Sequence, residues 1–124
     1  MPGSLLYDFG DALRIGAASA AEDETDLSKV NFMMDYFKAF AKGYIEELGD
    51  CLTEREIELL PLSAKLLTYE CGIRFLTDHL SGDTYFRIHR ENHNLDRART
   101  QFKLVRDIDA HLDEMNEIVK ELLK

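Results

Sequence analysis

Residues 53–80 decide the fold of this chain, and they read TEREIELLPLSAKLLTYECGIRFLTDHL. Thr53 and Glu56 have the spacing of a capping box, so a helix begins here. Pro61 lacks an amide hydrogen and predicts a break or a kink near Leu60. Beyond it, apolar residues recur on two sides of the helix: Leu62, Leu66, Ile73 and Leu76 on one, and Leu67, Cys71 and Phe75 on the other. A helix that is apolar on two sides is predicted to lie at the centre of the fold.

The segments before this helix are also helical in pattern. Residues 5–15 predict a short helix that ends at Gly16, and residues 30–48 predict a second one that ends at Gly49. Between them, residues 16–28 contain almost no large apolar side chain and several acidic ones. Such a segment buries little surface, so we expect it to be a mobile acidic loop.

The last helix is predicted to run from about Leu95 to Leu123. Its apolar residues follow a heptad-like spacing: Leu95, Ala98, Phe102, Val105, Leu112, Met115, Val119 and Leu122. At 1.5 Å per residue such a helix is roughly 42 Å long, and a partner surface has to cover its stripe. The predicted architecture is therefore all-α, with residues 1–124 forming a single bundle of about four helices.

Charge and composition narrow the class of partner. The chain has 124 residues, of which 24 are acidic and 15 basic, so its net charge is −9. Nucleic acid and anionic membrane surfaces both require a clustered positive field, and neither is predicted as a partner. No apolar run approaches the length of a membrane span, and Met1–Ser4 lack a basic region followed by a long apolar one, so we expect no signal peptide. Two cysteines do not make a disulfide framework, which favours a cytoplasmic setting.

Several short motifs are weak signals of chemistry. The triplet Asp8-Phe9-Gly10 occurs in protein kinases, but the glycine-rich loop, lysine and His-Arg-Asp motif that precede it there are absent. His89 and His93 flank Glu91, which is one position away from the zinc-protease spacing. The acidic run of Glu22, Asp23, Glu24 and Asp26 is typical of a solvated loop. We therefore predict no metal site and no catalytic residue in this chain.

Arg74 is a stronger candidate for ligand binding. It follows Gly72, and a glycine inside a helix often marks the close approach of another group. Tyr69 lies on the same predicted helix and Tyr85 in the loop after it, so both could line a pocket with Arg74. An arginine beside aromatic rings offers a sugar hydrogen-bond donors and a flat apolar face. On the residue pattern alone, an ordinary pair between Glu70 and Arg74 four positions apart is the favoured interpretation.

Two stretches resemble a known family of small-molecule kinases. Residues 1–14, MPGSLLYDFGDALR, and residues 69–86, YECGIRFLTDHLSGDTYF, resemble aminoglycoside-phosphotransferase-like and choline-kinase-like enzymes. The likeness is greatest to N-acetylhexosamine 1-kinases and to relatives often labelled mucin desulfatase. It extends over nearly the whole chain and is fairly specific only at these two stretches.

The resemblance implies a fold and a set of site residues. The chain would correspond to the C-terminal lobe of a protein-kinase-like fold. Arg74 and Tyr85 would contact the sugar, and Tyr69 would lie at the same pocket wall. Asp8 and Asp11 would have a structural role, tying their helix to the catalytic loop. The resemblance also implies ATP and Mg²⁺ for the intact kinase, which transfers phosphate to a sugar hydroxyl.

In the family, the nucleotide lobe, the general-base Asp and the metal-binding Asp all precede the position of Met1. We therefore expect this chain to lack activity alone and to have the N-terminal kinase lobe as its missing partner. A shortened gene, a misplaced start codon and deliberate shortening all remain open. The identity of the sugar and of the phosphate donor is open as well.

A non-enzymatic helical interaction module is the alternative. The heptad stripe of the last helix supports it, because that stripe lacks a covering lobe and invites self-association. On this hypothesis we expect a homodimer. A metal-binding bundle is a third hypothesis, which predicts bound zinc or iron; we expect none.

Overall fold

A computed structural model describes the backbone of residues 2–123 and the side chains of residues 5–123. Met1 and Lys124, which belong to the predicted domain, lie outside the described residues, as do the side chains of Pro2–Ser4. Within the described part the chain forms six α-helices: α1 Pro2–Gly16, α2 Met34–Leu48, α3 Glu54–Glu58, α4 Leu60–Leu80, α5 His93–Ala110 and α6 Leu112–Leu122. Short 3-10 turns cover Leu27–Lys29 and Gly49–Cys51. The all-α prediction is confirmed, with six helices in place of about four.

The break before α4 occurs where proline predicts it. Thr53 caps α3, with its hydroxyl accepting from the Glu56 amide at 3.1 Å while the Glu56 carboxylate accepts from the Thr53 amide at 2.8 Å. Leu59 separates α3 from α4, and Pro61 stands in the first turn of α4, where a missing amide hydrogen costs no helical bond. The capping box and the proline together divide the predicted helical region into a short and a long helix.

The predicted continuous helix from Leu95 to Leu123 is wrong. The backbone leaves helical geometry at His111, with φ −108° and ψ 6°, so α5 and α6 are separate helices. The break turns α6 toward α2 and α3, where Met115 and Val119 become fully buried. The heptad-like spacing continued across the break because both helices bury the same kind of periodic face.

Helix α4 is central, as predicted, because it packs between α1 on one side and α5 on the other. The approach of α4 and α5 is close at Gly72, where an added Cβ would lie 2.7 Å from ring atom Cε1 of Phe102. The close approach suggested by this glycine is therefore that of a neighbouring helix. The core contains Phe9, Leu13, Ala17, Val30, Phe32, Phe37, Ala41, Leu52, Ile57, Leu60, Ala64, Leu104, Ile108, Met115 and Val119.

The uncovered apolar face lies on α4, not on the last helix. Of the predicted stripe, Ala98, Met115 and Val119 are buried inside the chain and the other five residues are half-buried. On α4, by contrast, only one of the two apolar sides is covered. Leu66 is 54% exposed and Tyr69 is 50% exposed. Among the described residues, no helix combines the length and the apolar character that crossing a membrane requires.

Candidate functional site

A groove forms where the C-terminal end of α4 meets the loop that follows it. The cavity has a volume of about 460 Å³ and is lined by Ile73, Arg74, Thr77, Asp78, Ser81, Thr84, Tyr85 and Phe86. The guanidinium carbon of Arg74 lies 5.9 Å from the ring centre of Tyr85 and 5.7 Å from that of Phe86. Arg74 and Tyr85, chosen from the sequence, therefore share one cavity.

Arg74 does not form the pair with Glu70 that its spacing favours. Within the described residues, no carboxylate oxygen lies within 4.0 Å of its guanidinium, although seven other arginine or lysine side chains have such a neighbour. The guanidinium lies instead over two aromatic rings, an arrangement that attracts the cation through the ring electrons. The two ring faces do not use the N–H donors of Arg74 in ordinary hydrogen bonds, so these donors stay available to a ligand.

Asp78 holds the loop that carries Tyr85. The Tyr85 amide donates to Asp78 Oδ1 at 2.7 Å, and the Phe86 amide donates to Asp78 Oδ2 at 3.0 Å. Burial pushes the pKa of Asp78 upward, but hydrogen bonds from the loop amides and from Asn94 outweigh it and leave that pKa below its ordinary value. The aromatic wall of the groove is therefore positioned by a buried, ionised carboxylate at the end of α4.

Asn94 connects this loop to α5. It is fully buried, and its Nδ2 donates to Asp78 Oδ2 at 2.7 Å and to Asp83 Oδ1 at 3.0 Å. Its Oδ1 accepts from Arg97 Nη1 at 3.0 Å, and the same Nη1 donates to the Arg87 carbonyl at 3.0 Å. Gly82, with φ +93°, provides the left-handed turn that brings the loop back over α4. These hydrogen bonds and this turn all lie within residues 78–97.

The sequence analysis did not identify Asp78 or Asn94. A signal for Asp78 exists, because it lies three positions after Phe75 on the buried side of α4. An acidic residue at a periodic apolar position is seldom tolerated without several hydrogen-bond donors around it. No comparable signal exists for Asn94, since its partners come from a loop whose path the sequence does not reveal.

The remaining candidates lie elsewhere. Tyr69 packs against Phe102 of α5, with ring centres 6.1 Å apart, and does not line the groove. Asp11 accepts from Nε of Arg14 at 3.2 Å on α1. Asp8 is exposed on the same helix. The structure therefore brings together Arg74 and Tyr85 but not Tyr69, Asp8 or Asp11.

The acidic loop is attached to α1 and α5 by its own carboxylates. Glu22 accepts from Nη1 of Arg14 at 2.6 Å, and Asp23 Oδ2 lies 2.8 Å from Nε2 of His93. The backbone amide of His89 donates to Nδ1 of His93 at 3.1 Å, so Nε2 carries the hydrogen that Asp23 accepts. The sequence predicts a mobile loop here, and in the structure residues 22 and 23 of that loop contact oppositely charged or imidazole groups of α1 and α5.

Neither the acidic loop nor the two histidines form a metal centre. Residues 5–123 contain no group of three or more histidine, cysteine or acidic side chains placed to hold a metal ion. Asp11 is already engaged by Arg14. Cys51 is exposed and Cys71 half-buried, and both are free thiols.

No protein-family model matches the chain. The functional interpretation therefore depends on the geometry of the groove and on the resemblance of residues 1–14 and 69–86.

Proposed function

We propose that this chain is the substrate-side helical part of an ATP-dependent sugar kinase and binds an N-acetylhexosamine-type sugar in contact with Arg74 and Tyr85. The observation that carries the proposal is the shared cavity of these two side chains, with their centres 5.9 Å apart. The resemblance of residues 69–86 supplies the chemical class of ligand, and the cavity supplies a place for it.

The groove offers the groups that a sugar requires. Tyr85 is 74% exposed, so its ring presents a flat apolar face to the ligand. Arg74 contributes N–H donors, and the hydroxyl groups of Thr77, Ser81 and Thr84 surround the same cavity. A volume of about 460 Å³ lies within the usual range for small-molecule sites. The ring stacks on the sugar while the polar groups orient it.

The phosphate-transfer chemistry belongs to the rest of the kinase. ATP and Mg²⁺ would be held by a nucleotide-binding lobe, which the resemblance places before these helices in the family. The residues described here would bind and orient the sugar, with Asp78 acting on it only by positioning Tyr85. This division predicts sugar binding without turnover.

A titration with sugar tests the groove directly. We expect ¹H–¹⁵N spectra to show saturable shifts for the amides of residues 73–86 on addition of N-acetylglucosamine or N-acetylgalactosamine. The affinity should be roughly millimolar, because an open half-pocket buries little of the ligand. Arg74→Ala and Tyr85→Ala should each abolish the shifts, whereas Arg55→Ala on the distant helix α3 should leave them intact. Shifts that persist in both groove variants, or that never appear in the unaltered chain, would refute the proposal.

A phosphorylation assay tests the division of labour. The purified chain with ATP, Mg²⁺ and an N-acetylhexosamine should form no sugar phosphate above the level of an Arg74→Ala control prepared in the same way. Turnover that depends on Arg74 would show that these helices contain the reactive groups. In a protein that joins the helices to a catalytic lobe, Arg74→Ala should raise the KM for the sugar, and an unchanged KM would remove Arg74 from the site.

A further inference from the structure

A separate cavity lies where α1 and α5 meet the acidic loop. It has a volume of about 280 Å³ and shares no lining residue with the Arg74 groove. Its lining comes from the end of α1, from residues 18–22, from Val30 and from α5. Val30, Gln101 and Leu104 are each at most 2% exposed, so this part of the wall is sealed from solvent.

The acidic loop leaves this space open because its side chains there are small. Ala18, Ala20 and Ala21 all line the cavity, and a methyl group fills little of it. An engineered cavity of about 150 Å³ with an apolar lining binds benzene. A volume of about 280 Å³ therefore accommodates a ring together with one polar substituent.

Gln101 gives the cavity wall a hydrogen-bonding group that is only partly used. Its Nε2 donates to Thr100 Oγ1 at 3.3 Å, and its Oε1 accepts from Arg14 Nη1 at 3.4 Å. A carboxamide has two N–H donors and two acceptor lone pairs, so among the described residues one donor and one acceptor position of Gln101 remain. Buried polar groups are ordinarily hydrogen-bonded. A second carboxamide, which is both a donor and an acceptor, matches the two remaining positions.

The charges at the cavity favour a neutral ligand. Arg14 and Glu22 both line it and are already paired, with Arg14 Nη1 2.6 Å from Glu22 Oε2. An anionic ligand would meet the Glu22 carboxylate, and a cationic ligand would meet the Arg14 guanidinium, and like charges brought together lower affinity. We propose that this cavity binds a small neutral molecule with a carboxamide attached to an apolar body. The carboxamide pairs with Gln101, and the apolar body lies against Val30 and Leu104.

Benzamide, acetophenone and benzoate test the chemical class, because the three molecules have nearly the same shape. Benzamide should cause saturable ¹H–¹⁵N shifts at residues 18–22 and 100–104, with a Kd that is roughly millimolar. Acetophenone lacks the N–H donors and should bind about fivefold more weakly. Benzoate is charged and should bind roughly tenfold more weakly, or worse. Equal affinities, or tightest binding of benzoate, would overturn the ligand class; no shifts, or shifts confined to residues 73–86, would overturn the site.

Three substitutions test the place of binding. Ala20→Leu fills the cavity and should abolish the benzamide shifts. Ala39→Leu is the matched control, because it makes the same change at an exposed position of α2 outside the cavity, and it should leave the Kd unchanged. Gln101→Leu keeps the apolar volume without the carboxamide and should make benzamide and acetophenone bind equally.

Full benzamide affinity in Ala20→Leu, or a retained preference for benzamide in Gln101→Leu, would overturn the assignment. Circular dichroism on each variant establishes that the helices are retained. The comparison of the three ligands in the unaltered chain needs no substitution, so it decides the ligand class even where a variant does not fold.

Discussion

The acidic part of the first long connection, residues 20–26, and the second long connection, residues 81–92, are held in opposite ways. In the first, carboxylates of the loop reach cationic or imidazole groups on the helices, as Glu22 does with Arg14. In the second, a helix carboxylate, Asp78, accepts the backbone amides of the loop. The anchoring side chains of the first loop are 39% exposed at Glu22 and 40% exposed at Asp23, whereas Asp78 as a whole residue is 5% exposed. The acidic loop should therefore respond to solvent conditions, and the groove loop to loss of a single side chain.

The largest expected effect follows from removing the groove anchor. Asp78→Ala leaves the amides of Tyr85 and Phe86 and the Nδ2 of Asn94 without their acceptor. Buried donors that lose their acceptor are costly, so we expect Tm to fall by roughly 5 °C or more. Amide exchange at Tyr85 and Phe86 should accelerate strongly, while exchange in residues 17–33 should be unchanged.

Thr77→Ala is the matched control for this prediction. Thr77 is the neighbouring residue, lines the same groove and is exposed. The control should leave Tm and the exchange rates near those of the unaltered chain. An equal effect of the two substitutions would mean that Asp78 does not organise the loop.

This comparison also shows how far the sequence determines the result. Signals that act within a few residues were sufficient. The capping box at Thr53 and the proline at position 61 predicted the division of α3 from α4, which is confirmed. Periodicity was not sufficient at His111, because two helices that bury similar faces look like one continuous helix. The predicted Glu70–Arg74 pair is wrong for a related reason. Spacing along one helix does not reveal that Tyr85 and Phe86 return over Arg74.

The groove pair was predictable in part only. Arg74 and Tyr85 were selected by residue type and by resemblance, and they do share a cavity. Tyr69 was placed with them by the same reasoning, but Phe102 of α5 occupies its side of the helix. Gly72 indicated a close approach, but the sequence does not reveal that Phe102 of α5 is the group that approaches.

Low pH should weaken the contacts of both loops, and substitutions should show which carboxyl group is responsible in each loop. In the folded chain the pKa of Asp78 and that of Asp23 are both below their ordinary values. Burial raises the pKa of each carboxyl group, but hydrogen bonds lower it by more. These hydrogen bonds come from the loop amides at Asp78 and from His93 at Asp23. A depressed folded pKa means that the stabilisation is complete above the unfolded value of about 3.9 and is lost as the pH falls through the folded value.

The amide shifts of Tyr85 and Phe86 provide the measurement for Asp78. They should titrate with a midpoint below about 3.9 in the unaltered chain. In Asp78→Asn this titration should disappear, while the signals of residues 22–24 should still change with the ionisation of Asp23. A midpoint at or above the unfolded value would contradict the assigned role of the loop amides.

The smallest expected effect is that of salt, and it should act on the first loop alone. Exposed ion pairs contribute about 0.2–1 kcal/mol each and are screened when the Debye length shrinks to a few ångströms. Raising NaCl from about 0.05 M to about 0.5 M should therefore speed amide exchange in residues 20–26 severalfold. The amides of Tyr85 and Phe86 should not respond, because the hydrogen bonds to Asp78 are buried and join a charge to dipoles rather than two mobile ions. Equal acceleration in both loops would mean that Asp78 is solvated in solution. A response confined to residues 81–92 would mean that the second loop, and not the first, is held by exposed ion pairs.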